Sequence, residues 1–193
     1  MRTKRAVLPA RRGTIEVIAK VYRFDDMLCM SQGKTEACTV KQIMVENVPG
    51  ILNVFPAHSA NDKNGTDWWA EHASGKMLSI DANVRSKDFG KKDVALETWS
   101  NVERKSPGWT VSESKRTDYV LWTWTDSGRW CLIPFPMLCS VFRGRMNDWT
   151  QKYRVAQQFT PVGNGGYHSE CVFVPIREVW AAIYQTFAGM NAA

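Results

Sequence analysis

The tightest constraint in the sequence is a pair of extended runs, Tyr119 to Trp124 and Trp130 to Phe135, separated by Thr125-Asp126-Ser127-Gly128. β-Branched and aromatic residues favour extended backbone, and Asp, Ser and Gly supply the side-chain hydrogen bonds and backbone freedom of a compact turn. The segment therefore reads as a β-hairpin. Met77 to Val84 alternates apolar and polar positions after the turn-forming Ser74-Gly75, and Val94 to Trp99 repeats the pattern. Both suit strands entering the same sheet.

Helical spacing flanks these strands. Ile15, Ile18, Val21 and Tyr22 recur on one face behind Thr14, which predicts a helix over 14–28. Val40, Ile43, Met44 and Val48 share a second face until Pro49-Gly50 stops it. Pro136 opens a third helix through Met137, Leu138, Val141, Phe142 and Met146. A strand over 155–159, a glycine-rich loop over 163–166 and a strand over 169–174 follow, and Val179, Ile183 and Phe187 mark a closing helix. No repeat or linker divides the 193 residues, so the order predicts a single α/β domain over 14–193, a central mixed β-sheet flanked by helices.

Composition excludes several classes. No apolar run approaches the roughly 20 residues that cross a bilayer, and the basic N-terminus lacks the apolar stretch of a secretory signal. The expectation is a cytoplasmic protein. Five cysteines without a CxxC spacing argue against a disulfide framework and a zinc knuckle. Of the net charge of +6, Arg2, Lys4, Arg5, Arg11 and Arg12 supply most, within an arm over 1–13 that contains no acid. Such an arm either tracks phosphates by charge or serves as a solubilising terminus.

The window richest in chemistry is Gly65-Thr66-Asp67, followed after thirteen intervening residues by Asp81-Ala82-Asn83. One acid follows a glycine turn and the other lies on a strand, and two such carboxylates can hold Mg²⁺ for phosphodiester hydrolysis. The pattern resembles the motif of the PD-(D/E)XK, or restriction-endonuclease-like, superfamily, in which an acid begins one strand and an acid-x-lysine motif occupies the next. The resemblance covers residues 40–135 and implies an αβββαβ core. It also implies Asp67 and Asp81 as metal ligands, Mg²⁺ or Mn²⁺ as cofactor, DNA as substrate, and a homodimer as one possible assembly.

The sequence departs from that pattern at Asn83, which stands where the resemblance implies a lysine that orients or deprotonates the attacking water. Asparagine can bind a water but carries no charge and is neither acid nor base. Arg85 is the nearest cation on the strand, and Lys87 and Lys115 are further substitutes. Glu97 is either a third member of the catalytic set or a polar residue on an outer strand face. The structural alternatives are a turn acid at Asp67 and an edge-strand Asp81 paired with Arg85.

Other residues point the same way more weakly. Trp122 and Trp124 share a strand face and form either core or a base-stacking platform. Arg143 and Arg145 are either a phosphate clamp or a solvated helix face. Two functions follow: a metal-dependent nuclease acting on DNA, or an inactive nuclease-fold binding protein, for example a phage-encoded inhibitor of a bacterial defence nuclease.

Overall fold

The computed structural model describes residues 34–57, 65–163 and 165–188. The arm over 1–13 and the helix predicted over 14–28 lie outside them. The elements in chain order are α1 (Lys34–Asn47), β1 (Ile51–Pro56), β2 (Trp68–His72), β3 (Met77–Arg85), β4 (Asp93–Asn101), β5 (Ser106–Pro107), β6 (Tyr119–Trp124), β7 (Arg129–Pro134), α2 (Phe135–Lys152), β8 (Val155–Val162), β9 (Gly165–Pro175) and α3 (Ile176–Phe187).

The class is α/β, as predicted, but the strands form two sheets instead of one. The first is mixed, with order β1-β2-β3-β6-β7, and the second has order β5-β4-β9-β8. In the first sheet β1, β2 and β3 form an antiparallel meander, β6 runs parallel to β3, and β7 returns antiparallel as the predicted hairpin. Strands β4 and β5, in place of a helix, lie on the connection from β3 to β6.

Each face of the mixed sheet has its own cover. Val40, Ile43 and Met44 of α1 pack on Ile51, Val54, Ala70, Ile80 and Leu121. On the other face Val120, Trp122, Ile133 and their neighbours meet Leu138 and Phe142 of α2, Val172 and Val174 of β9, and Val179 and Ile183 of α3. Burying both faces explains why β6 is buried along nearly its whole length.

Several boundaries move. Helix α1 starts at Lys34, ahead of Val40, the first residue of its apolar face. Helix α2 starts at Phe135, with Pro136 in its first turn, and runs on to Lys152 because Trp149, two turns beyond Phe142, packs on it with ring centroids 6.0 Å apart. The predicted loop over 163–166 is shorter, since Gly165 and Gly166 pair with Val162 and Pro161 at the start of β9. Strands β1 and β2 were not expected. A register shift between Ile51 and Asn53 puts Ile51 and Val54, three apart, into the same core, which hides the alternation that marks a strand.

Candidate active site

The site is built on β3, third of five strands and therefore internal. Paired positions place Asp81 beside Val120, Asn83 beside Trp122 and Arg85 beside Trp124, so these side chains share the face turned to the second sheet. Asp67 stands immediately before β2, the strand-start position that the resemblance implies. Its backbone N–H donates to Ile80 O at 2.9 Å, and its Oδ2 accepts the Ala82 N–H at 2.9 Å. The Asp67 carboxylate thus lies against the Asp81–Ala82 peptide.

Asp81 is only 8% exposed and is ion-paired with Lys115. This corrects the edge-strand alternative, in which Arg85 was its partner: β3 is flanked on both sides, and the loop before β6 delivers a lysine to the carboxylate. Lys115 Nζ also lies 4.7 Å from the Trp109 ring centroid, a cation–π contact that helps hold the ammonium in a partly desolvated place. Gly65 makes room for the lysine stem. It is buried, adopts a φ of 84°, and a Cβ there would overlap Lys115 Cγ, Cδ and Cε.

Glu97 approaches from β4. Gly108 lets the following loop close on that strand, because any side chain there would overlap the Glu97 backbone. The loop then brings the Trp109 N–H to Glu97 Oε2 at 2.9 Å. Burial raises the Glu97 carboxyl above its ordinary value, while the Trp109 N–H and the Lys115 charge act in the opposite direction. Glu97 is therefore half-buried beneath the Trp109 loop, on the face of β4 opposite the core residues Val94 and Leu96.

Among the described residues no three His, Cys, Asp or Glu side chains are grouped to hold a metal ion. The donor chemistry of Asp67 and Asp81 still fits Mg²⁺, which takes one or two carboxylates and keeps several waters in place of a full protein cage. Glu97 is not joined to them as a third ligand.

The remaining predicted cations separate into two groups. Arg85 and Lys87 line a cavity of about 380 Å³ at the far end of β3. Arg143 Nε donates to Val111 O at 3.2 Å, and Arg145 Nη2 donates to Gln185 Oε1 at 3.0 Å, so both are tied to their own surroundings on α2. The aromatic platform is corrected: Trp122 and Trp124 are 1% and 6% exposed and belong to the core. Cys131, Cys139 and Cys171 are free thiols, and burial pushes Cys139 up to about 11 against the charges of Arg143 and Lys115.

Trp109 was missed from sequence, although Pro107-Gly108 just before it signals a turn able to carry an aromatic ring back over the sheet. Asp118 was missed as well. Its Oδ2 accepts both the Ser79 N–H and the Ser79 hydroxyl at 2.8 Å, fixing β3 beside the start of β6.

No family model, no curated protein and no solved structure matches this chain.

Proposed function

We propose that this chain is a metal-dependent nuclease of the restriction-endonuclease-like kind that hydrolyses DNA phosphodiesters in the cytoplasm. The observation that carries the reading is the Lys115–Asp81 ion pair: a lysine from another element occupies the neighbourhood where Asn83 leaves none. The order α1-β1-β2-β3, with β6 parallel to β3, supports it as far as the first four elements of an αβββαβ core, whereas β4 and β5 stand where that core has its second helix.

In this reading Asp67 and Asp81 hold Mg²⁺ or Mn²⁺, which supplies an activated water and neutralises charge on the phosphate. Lys115 orients Asp81 and places a positive charge beside the scissile group. Glu97, with its raised affinity for a proton, is suited to exchange one with a water.

The test is cleavage of single- and double-stranded DNA and RNA with Mg²⁺ or Mn²⁺. The expected result is metal-dependent DNA cleavage that disappears in Asp81→Ala. Absence of cleavage on every substrate overturns the reading.

A second reading draws on a different observation. Asp81 is already neutralised by Lys115, and no three-ligand group is present among the described residues. These features suit a nuclease-fold protein that binds without cutting, such as a phage-encoded inhibitor of a defence nuclease. Such a protein is inert with or without metal.

A further inference from the structure

Asp93, Ala95 and Glu97 alternate along β4 and share a face, as Asp81, Asn83 and Arg85 do along β3. Glu97 accepts the N–H of Trp109, over whose ring Lys115 lies, whereas Asp93 and Ala95 line the 380 Å³ cavity together with Arg85. The acidic site and the cleft formed by this cavity therefore lie along the same two strands, β3 and β4. They are separated by four residues of β3, roughly 13 Å at about 3.3 Å per residue. The cavity also lies at the carboxyl ends of the parallel pair β3 and β6, where open α/β sheets bind ligands.

The lining is strongly basic, with six cationic side chains against two acids. Asp88 is consumed by Arg129, whose Nη2 donates to it at 2.8 Å while the guanidinium lies 4.1 Å from the Trp124 ring centroid. Among the described residues Arg85, Lys87, Lys91 and Lys92 form no ion pair. The loop carrying three of these cations also presents Phe89 at 80% exposure, the most exposed large hydrophobic residue described.

The projection of Phe89 is built in. Asp88, the residue before it, donates its N–H to the Asp126 carboxylate at 2.9 Å and accepts from the Ser127 hydroxyl at 3.0 Å and the Gly90 N–H at 2.8 Å. The loop base is thus pinned to the β6–β7 turn while the ring stands in solvent among lysines. Trp122 and Trp124 form part of the cavity wall.

We propose that this cleft binds single-stranded nucleic acid, with Phe89 stacking on one base and Arg85, Lys87, Lys91 and Lys92 holding the phosphates. An exposed ring set among cations suits unpaired bases, because stacking requires a free base face and the charges follow the backbone. Duplex bases offer no such face inside the helix. The inference rests on the nucleic-acid reading above and narrows it to an unpaired strand, with the acids roughly 13 Å away along β3.

The test is fluorescence anisotropy of a labelled oligothymidine in EDTA, which separates binding from cleavage. Phe89→Ala is expected to weaken binding roughly five- to hundredfold and Phe89→Trp to retain it. The double variant Lys91→Ser, Lys92→Ser is expected to flatten the salt dependence by about 0.7 in log–log slope for each phosphate that the protein no longer neutralises. Melting temperatures should stay unchanged, because these side chains are exposed. Equal binding by Phe89→Ala, a preference for duplex, or binding of oligoglutamate in place of DNA would each overturn the proposal. Strand binding that depends on Phe89 in a protein that never cleaves would sink the nuclease reading alone, and cleavage unaffected by Phe89→Ala would sink this one alone.

Discussion

Lys115 holds Asp81 in an ion pair although it lies 34 positions further along the chain, in the loop before β6. The pair is feasible because Gly65, in the turn that carries Asp67, leaves the lysine stem its path. Three separate segments thus converge: the glycine turn, the central strand and the loop that leads to its parallel neighbour. Asn83, on the same face of β3 as Asp81, is the position from which a lysine would reach the same carboxylate in the arrangement that the motif resembles.

Removing the lysine has two expected effects. In Lys115→Ala the Asp81 carboxylate stays largely buried without its partner, at a cost of about 3 kcal/mol, measured by urea unfolding. Cleavage falls by at least ~10²-fold, the scale of a lost acid–base or charge-stabilising group. Asn83→Lys in the Lys115→Ala background should restore both, because the new ammonium starts two residues from Asp81 on the same face. A double variant that folds well yet stays as inactive as the single one would show that a cation beside Asp81 is not what the chemistry requires.

Gly65→Ala tests the path of the lysine. Alanine at a φ of 84° costs roughly 1–2 kcal/mol by itself, and its Cβ overlaps the Lys115 stem, so the side chain has to leave Asp81. Thermal unfolding should fall by an amount exceeding the backbone cost, with cleavage reduced as in Lys115→Ala. A loss of stability with full activity would mean that Lys115 reaches Asp81 by another route.

What the sequence discloses follows the range of its physical signals. Tyr119 to Trp124 and its hairpin partner, Met77 to Val84, and the face of Val179 and Ile183 are legible because one local period governs each. Strand β1 is hidden by the shift between Ile51 and Asn53, and the second sheet is hidden because pairing of β4 with β9 joins residues about 75 positions apart, such as Leu96 and Val172. At the site, the acids were legible as a spaced motif and Lys115 as one of several cations. Choosing Lys115 over Arg85 needed the loop geometry of Gly65 and Trp109, which no local pattern encodes. Trp122 and Trp124 misled because alternation shows that they share a face but not whether that face is covered.

Glu103 and His168 provide a pH-dependent pair away from the cleft. His168 Nδ1 lies 2.6 Å from Glu103 Oε1, and together with the His168 backbone N–H it holds Glu103 down to about 2 from its ordinary 4.5. A carboxylate with a lowered folded value contributes stability that is present above its unfolded value and is lost as pH falls from about 4.5 toward 2. Titration of the Glu103 carboxyl by NMR should show this, and His168→Gln should move it up toward 4.5. An unchanged titration would assign the depression to the backbone hydrogen bond alone.

Glu97 has the opposite sign. Burial raises its carboxyl above the ordinary 4.5, outweighing the Trp109 N–H and Lys115, so the folded protein binds this proton more tightly than the unfolded chain does. Its contribution to stability is full below 4.5 and is lost as pH rises through the folded value, above which the carboxylate is a partly buried charge. Glu97→Gln keeps an oxygen that can accept the Trp109 N–H while removing that charge. The variant should therefore unfold at a higher temperature than the parent once pH exceeds the folded value of Glu97, with the difference shrinking as pH is lowered past 4.5. Its cleavage should fall by roughly 10²-fold if the carboxyl exchanges a proton during the reaction. Such an exchange of stability for activity is the mark of a residue kept for chemistry. If Glu97→Gln instead lowers stability above the folded value, the charge is being used as a partner for Lys115, and the acid–base role of Glu97 is lost with it.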